Sequence, residues 1–159
     1  MIKKYLHTRF RVSDLDRSID FYSKILGLKL AESLRGQLAR PGLPPTIPRT
    51  RRKPGTLSPA SRWIERKTSP RGSQLAFLQA PGTDSEIELR AFPSSGKVEV
   101  PEDLVHLAFE VDDLKKCMAD LKKAGYPITD GPTTTSGGTT FIFTEDPDRY
   151  EIELMQCPS

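Results

Sequence analysis

Cysteine, histidine and tryptophan are all scarce, with two, two and one copies in 159 residues. Two cysteines, Cys117 and Cys157, make no disulfide framework and fit a reducing compartment, so a cytoplasmic protein is expected. No apolar run approaches the roughly 18 residues that cross a bilayer, so no membrane partner is expected. The opening Met1-Ile2-Lys3-Lys4-Tyr5-Leu6-His7 shows neither the apolar stretch nor the cleavage site of a secretory leader. Neither sign of charge dominates: the net charge is +3, with 28% charged and 36% hydrophobic residues. That balance leaves enough apolar material for a core.

The basic excess is local. Residues 33–73 hold eight arginines and two lysines against one glutamate, a balance of +9 that leaves −6 for the remainder. The same stretch holds seven of the fourteen prolines, and its apolar residues keep no period. Such a segment buries little surface to offset its ordering entropy, so a loop is expected, with a short anchored piece near Trp63. A basic patch could serve nucleic acid, anionic lipid or a partner. The simpler reading is a hairpin extension, because loop closure costs little extra with length. No nucleic-acid partner is expected.

The chain repeats itself. His7-Thr8-Arg9-Phe10-Arg11-Val12-Ser13-Asp14-Leu15 matches His106-Leu107-Ala108-Phe109-Glu110-Val111-Asp112-Asp113-Leu114 at an offset of 99, sharing His, Phe, Val, Asp and Leu. Helical spacing follows in both, through Leu15, Ile19, Tyr22 and Leu26, and through Leu114, Met118 and Leu121. Asp14 and Asp113 suit helix N-caps, with Ser13 and Asp112 as competitors, and Gly27 and Gly125 suit the helix ends. Glu-Ile-Glu-Leu occurs at 86–89 and again at 151–154.

The histidine-to-glutamate separations are 81 and 47 residues, and their difference of 34 is close to the length of the basic segment. The reading is an α+β chain of two tandem βαβββ modules, 1–98 and 99–159, the first carrying an insertion at about 33–73. Curved mixed sheets with helices outside are expected. The first module is read as strand 6–12, helix 14–26 and strands 28–33, 74–79 and 86–92. The second is read as strand 104–111, helix 113–125 and strands 127–130, 139–144 and 150–156. Pro81-Gly82 and Asp146-Pro147-Asp148 mark turns between the last two strands of each module.

Both histidines of the chain therefore occupy equivalent places, and so do two pairs of glutamates. A lone strand histidine or glutamate is ordinarily structural or solvated. The coincidence of all of them points instead to a divalent metal held by two neutral imidazoles and two carboxylates, a net dianionic set. Strand alternation puts Glu86 on the face of Glu88 and Glu151 on the face of Glu153, so pattern alone leaves the choice within each pair open.

The run Leu6–Tyr22, then Leu26-Gly27-Leu28-Lys29-Leu30, resembles the opening of glyoxalase I, the lactoylglutathione lyases of the vicinal oxygen chelate superfamily. So does Gly137-Gly138-Thr139-Thr140 followed by Glu145-Asp146-Pro147-Asp148-Arg149-Tyr150-Glu151-Ile152-Glu153-Leu154. The resemblance covers essentially everything outside 33–73. It implies a glyoxalase-like fold with metal ligands at His7, Glu88, His106 and Glu153, which selects the second glutamate of each pair. It further implies Ni2+ or Zn2+, and a homodimer whose sites draw ligands from both chains. The small-molecule substrate it implies is the hemithioacetal of methylglyoxal and a thiol, isomerised to a 2-hydroxyacyl thioester by Glu153 as base, with Glu88 as its counterpart.

Arg11 matches the family's arginine for the γ-glutamyl end of glutathione. Phe92 and Ser136 stand where an asparagine and a lysine belong to that pattern, so the thiol is open, and Arg90 is a candidate replacement. The alternatives are another metal-dependent enzyme of the superfamily (an epimerase, thiol transferase or dioxygenase) or a non-catalytic drug-binding protein of the resistance type.

Overall fold

The computed structural model describes residues 1–31, 67–69 and 72–158. Nine strands and two α-helices make up the main elements of the described residues. They are β1 His7–Val12, α1 Leu15–Asp20, β2 Lys29–Leu30, β3 Lys67–Thr68, β4 Gln74–Gln79, β5 Glu86–Ala91, β6 His106–Glu110, α2 Leu114–Ala124, β7 Ile128–Thr134, β8 Thr140–Glu145 and β9 Glu151–Gln156.

They form two open mixed sheets, the α+β architecture expected from the sequence. In the first sheet the order is β1-β5-β4-β2, with β3 also paired to β4; in the second it is β6-β9-β8-β7. The first and last strands of each set run parallel, β1 beside β5 and β6 beside β9. The remaining pairs are antiparallel.

Alternation sorts the side chains. Along β1, Phe10 and Val12 are buried while His7, Arg9 and Arg11 face out. The buried faces of both sheets share one apolar cluster, which includes Phe10, Leu89, Ile142, Ile152 and Leu154. Leu15 and Ile19 of α1, and Leu114 and Leu121 of α2, close it from the helix side. The candidate ligands His7, Glu88, His106 and Glu153 are thereby left on the opposite faces.

Asp14 caps α1 by accepting from the backbone N–H groups of Asp16 and Arg17, and Asp113 caps α2 through that of Lys116. Neither Ser13 nor Asp112 takes the cap.

Four sequence expectations are revised. The helix expected at 14–26 is α-helical only to Asp20; Phe21–Ile25 widens into a π-turn, with the Leu26 N–H bonding the Phe21 carbonyl at 3.2 Å. The wider turn lets the consecutive residues Phe21 and Tyr22 both point inward, at 1% and 0% exposure. Of the strand expected at 28–33, Lys29–Leu30 is formed, while 32–33 lie outside the described residues. The end of the expected insertion is partly sheet, since Lys67–Thr68 pairs with Leu75 and Gln74 further along the same edge of β4 that takes β2. Finally, β7 continues past 130 to Thr134 because the register shifts around Asp130 and Thr133, with Gly131 at φ +88°, absorb Pro132. The anchored piece expected near Trp63 lies outside the described residues.

The turn Asp146-Pro147-Asp148 does more than join β8 to β9. The Tyr22 hydroxyl donates to Asp146 Oδ2 at 3.0 Å, and the Ser13 N–H donates to Asp148 Oδ2 at 2.9 Å. The Tyr150 hydroxyl donates to the Arg11 carbonyl at 3.0 Å, and its ring packs edge-on against Phe10. These contacts tie the second sheet to the helix and first strand of the first.

Candidate metal centre

The parallel register sets the geometry of each half. His7 lies opposite Glu86 and Arg9 opposite Glu88, while His106 lies opposite Glu151 and Ala108 opposite Glu153. Each histidine therefore reaches the second glutamate diagonally. His7 Nε2 lies 3.3 Å from Glu88 Oε2, and His106 Nε2 lies 3.5 Å from Glu153 Oε2. Equivalent residues make equivalent pairs on two different sheets.

Within one chain these are two separate imidazole–carboxylate pairs. Among the described residues no group of three or more His, Cys, Asp or Glu side chains gathers in one place. Each sheet brings together only its own imidazole and carboxylate, so the four expected ligands do not meet within the single chain.

Two neighbours of the pair escaped the sequence reading. Phe77 lies opposite Glu88 and Phe143 opposite Glu153. Each meets the histidine edge-on, with ring centroids 5.6 Å apart for His7–Phe77 and 6.1 Å apart for His106–Phe143. The hairpins between the last two strands differ in length, so the two phenylalanines fall at unequal distances from their glutamates and an offset search passes over them. Strand register is the signal that finds them.

The halves differ in charge. Arg9 Nε lies 2.9 Å from Glu88 Oε1, and Glu88 is 2% exposed. Arg11 and Arg90, directly opposite one another in register, share the face of Glu88. Their guanidiniums lie 5.4 Å and 4.9 Å from the Phe92 ring centroid, each in a cation–π contact. Arg90 Nε also donates to the buried Ser73 Oγ at 3.0 Å, and Arg11 Nη2 reaches the Ser95 carbonyl at 3.5 Å. On the second sheet, Glu110, Glu145, Glu151 and Glu153 share a face with Phe141, Phe143 and Met155. One site face is rich in arginine and the other in carboxylate and aromatic carbon.

A family model described as the glyoxalase/bleomycin resistance protein/dioxygenase superfamily matches residues 4–154. The chain belongs to that superfamily. Within it the chain is glyoxalase I-like, homologous to carbon–sulfur lyases. It is 35% identical over 156 residues to the lactoylglutathione lyase of Escherichia coli O157:H7, covering 96% of this chain and 92% of the relative. It is 33% identical over 157 residues to the probable lactoylglutathione lyase of Vibrio cholerae, covering 96% and 90%. Among solved structures, the trypanothione-dependent glyoxalase I of Leishmania major superposes with a TM-score of 0.65 at 27% identity, covering 98% of this chain and 87% of that one. Glyoxalase I from maize gives 0.68 at 27% identity, covering 98% and 45%.

Proposed function

We propose that this glyoxalase-superfamily chain is a metal-dependent glyoxalase I-like lyase, converting the hemithioacetal of methylglyoxal and a thiol to a 2-hydroxyacyl thioester. The observation that carries the reading is the doubled imidazole–carboxylate pair, with Nε2–Oε2 separations of 3.3 and 3.5 Å. Two donors about 2.1 Å from one divalent ion and at right angles around it lie about 3 Å apart, so each half-site fits two adjacent coordination positions. His7, Glu88, His106 and Glu153 would hold the ion, nickel or zinc.

Completing four ligands takes a half-site from each of two chains, so the working form is a homodimer. The arginine-rich face of the first sheet and the carboxylate-rich face of the second support that pairing by opposite charge. Cytoplasmic placement suits two free thiols, Cys117 and Cys157. Among the described residues no helix is long and apolar enough to cross a membrane.

The chemistry a divalent ion supplies when bound there is Lewis-acid polarisation of the substrate's adjacent oxygens and neutralisation of the charge that develops on them. Glu153 removes the carbon-bound proton and returns it to the neighbouring carbon. Its partner Glu88 is the poorer base, because Arg9 holds its Oε1 while Ala108 stands at the equivalent place opposite Glu153. Phe77 and Phe143 keep apolar surface beside the two carboxylates, which limits water near the transferred proton. Arg11 and Arg90 offer guanidiniums to a carboxylate on the thiol, with Phe92 between them.

The test is metal analysis of the purified chain, paired with thioester formation from methylglyoxal and glutathione. Glu153→Gln, assayed at saturating metal, should keep the fold yet lose turnover by at least about 100-fold. Full activity in that variant removes Glu153 as the base. Purified chain that takes up neither nickel nor zinc overturns the metal reading.

A further inference from the structure

We propose that Arg9 is a positioning residue that acts as a built-in counter-ion for Glu88, competing with a divalent cation for that carboxylate and so setting the metal affinity of the site. The inference rests on the metal reading above.

Glu88 is buried at 2% exposure, and its two oxygens are divided between Arg9 Nε at 2.9 Å and His7 Nε2 at 3.3 Å. A buried carboxylate is costly without a partner of opposite charge, and in the metal-free chain Arg9 is that partner. Any gain from binding a cation is therefore measured against a resting state that is already compensated.

The second half-site has no such device. Ala108 occupies the position equivalent to Arg9, and among the described residues no lysine or arginine side chain pairs with Glu153.

Two effects act in the same direction. Two carboxylates and two neutral imidazoles carry a charge of −2 by formal count, which a divalent cation neutralises. Arg9 reduces that count to −1, so the loaded site is left cationic. Outer partners that strengthen metal ligands are acceptors, carboxylates or carbonyls, which push electron density toward the donor atom. A guanidinium draws density from Glu88 instead. Water screens part of this effect, since the Arg9 side chain is 52% exposed.

The experiment uses full-length chain stripped of metal, titrated with Zn2+ in competition with a chromophoric chelator. Thermal unfolding is followed in parallel with and without saturating Zn2+. Arg9→Met, which keeps length and removes charge, should bind Zn2+ about tenfold more tightly. It should also melt earlier without zinc and show a wider gap between the loaded and metal-free midpoints. Arg9→Lys, which keeps the charge, should bind close to the unmodified chain. Arg9→Met binding no more tightly, or Arg9→Lys binding as tightly as Arg9→Met, overturns the proposal. Zn2+ failing to bind the unmodified chain and both variants overturns the metal reading itself and this proposal with it. Equal, measurable affinity in all three overturns this proposal alone.

Discussion

Asp146 is the charged group on which the join between the two sheets turns, and its titration can be followed. Its carboxylate is 3% exposed; Oδ1 accepts from the N–H groups of Asp148 at 2.8 Å and Tyr150 at 2.9 Å, and Oδ2 accepts from the Tyr22 hydroxyl. Burial pushes its pKa from the ordinary 3.8 up to about 6, outweighing the hydrogen bonds that pull it down. The folded chain therefore holds this proton at pH values where the unfolded chain has released it. The resulting stabilisation is full at low pH and is lost as pH rises through about 6. Relative to about pH 7.5, it amounts to about 1.4 kcal/mol at about pH 5.

Asp146→Asn removes the titration and keeps the shape. The amide oxygen can serve both backbone N–H groups, and the amide nitrogen can donate to the Tyr22 oxygen. The stability difference between variant and unmodified chain should move by about 1.4 kcal/mol in the variant's favour from about pH 5 to about pH 7.5. Urea unfolding of both proteins, metal-free and at one protein concentration, measures it. A difference that stays flat across that range, or moves the other way, refutes the assignment.

Gly131→Ala should destabilise the chain by about 2 kcal/mol or more, because φ is +88° and the new Cβ would sit 2.8 Å from the Phe141 carbonyl oxygen. Thermal unfolding reads this, and an unchanged midpoint would contradict it. Asp113→Ala removes the acceptor that holds the Lys116 N–H at 2.9 Å and should cost about 1 kcal/mol in urea unfolding. Asp113→Asn should restore most of that loss.

The repeat was legible because both copies keep the same alternation. Phe10 and Val12 face the core while His7 faces out, and the Glu-Ile-Glu-Leu runs set Leu89 and Leu154 inward at 0% and 1% exposure. The choice between Glu86 and Glu88, or Glu151 and Glu153, was not legible from alternation, because both members of each pair share a face. It takes the diagonal reach of each histidine across a parallel pair to favour the second. The π-turn at Phe21–Ile25 was hidden because a run of apolar residues at helical spacing reads the same in either helix. Arg9 carries no signal of its own in the sequence, being one arginine on an alternating strand. Its meaning depends on Glu88 lying opposite it, 79 positions later, which only pairing can reveal.

The doubled register also explains where the halves were free to diverge. Displacing His or Glu in either half would break an imidazole–carboxylate pair, and displacing Phe77 or Phe143 would remove the ring that each histidine meets edge-on. The position two residues after the histidine is different. It lies outside the apolar cluster and directly opposite the paired glutamate, so a change there alters charge while leaving the core and the histidine–glutamate geometry in place. Arg9 in one half and Ala108 in the other stand at that position, and His7–Glu88 and His106–Glu153 still close to within 0.2 Å of the same separation. In a repeated strand pair of this kind, charge at the site can therefore change while the fold that positions the site does not.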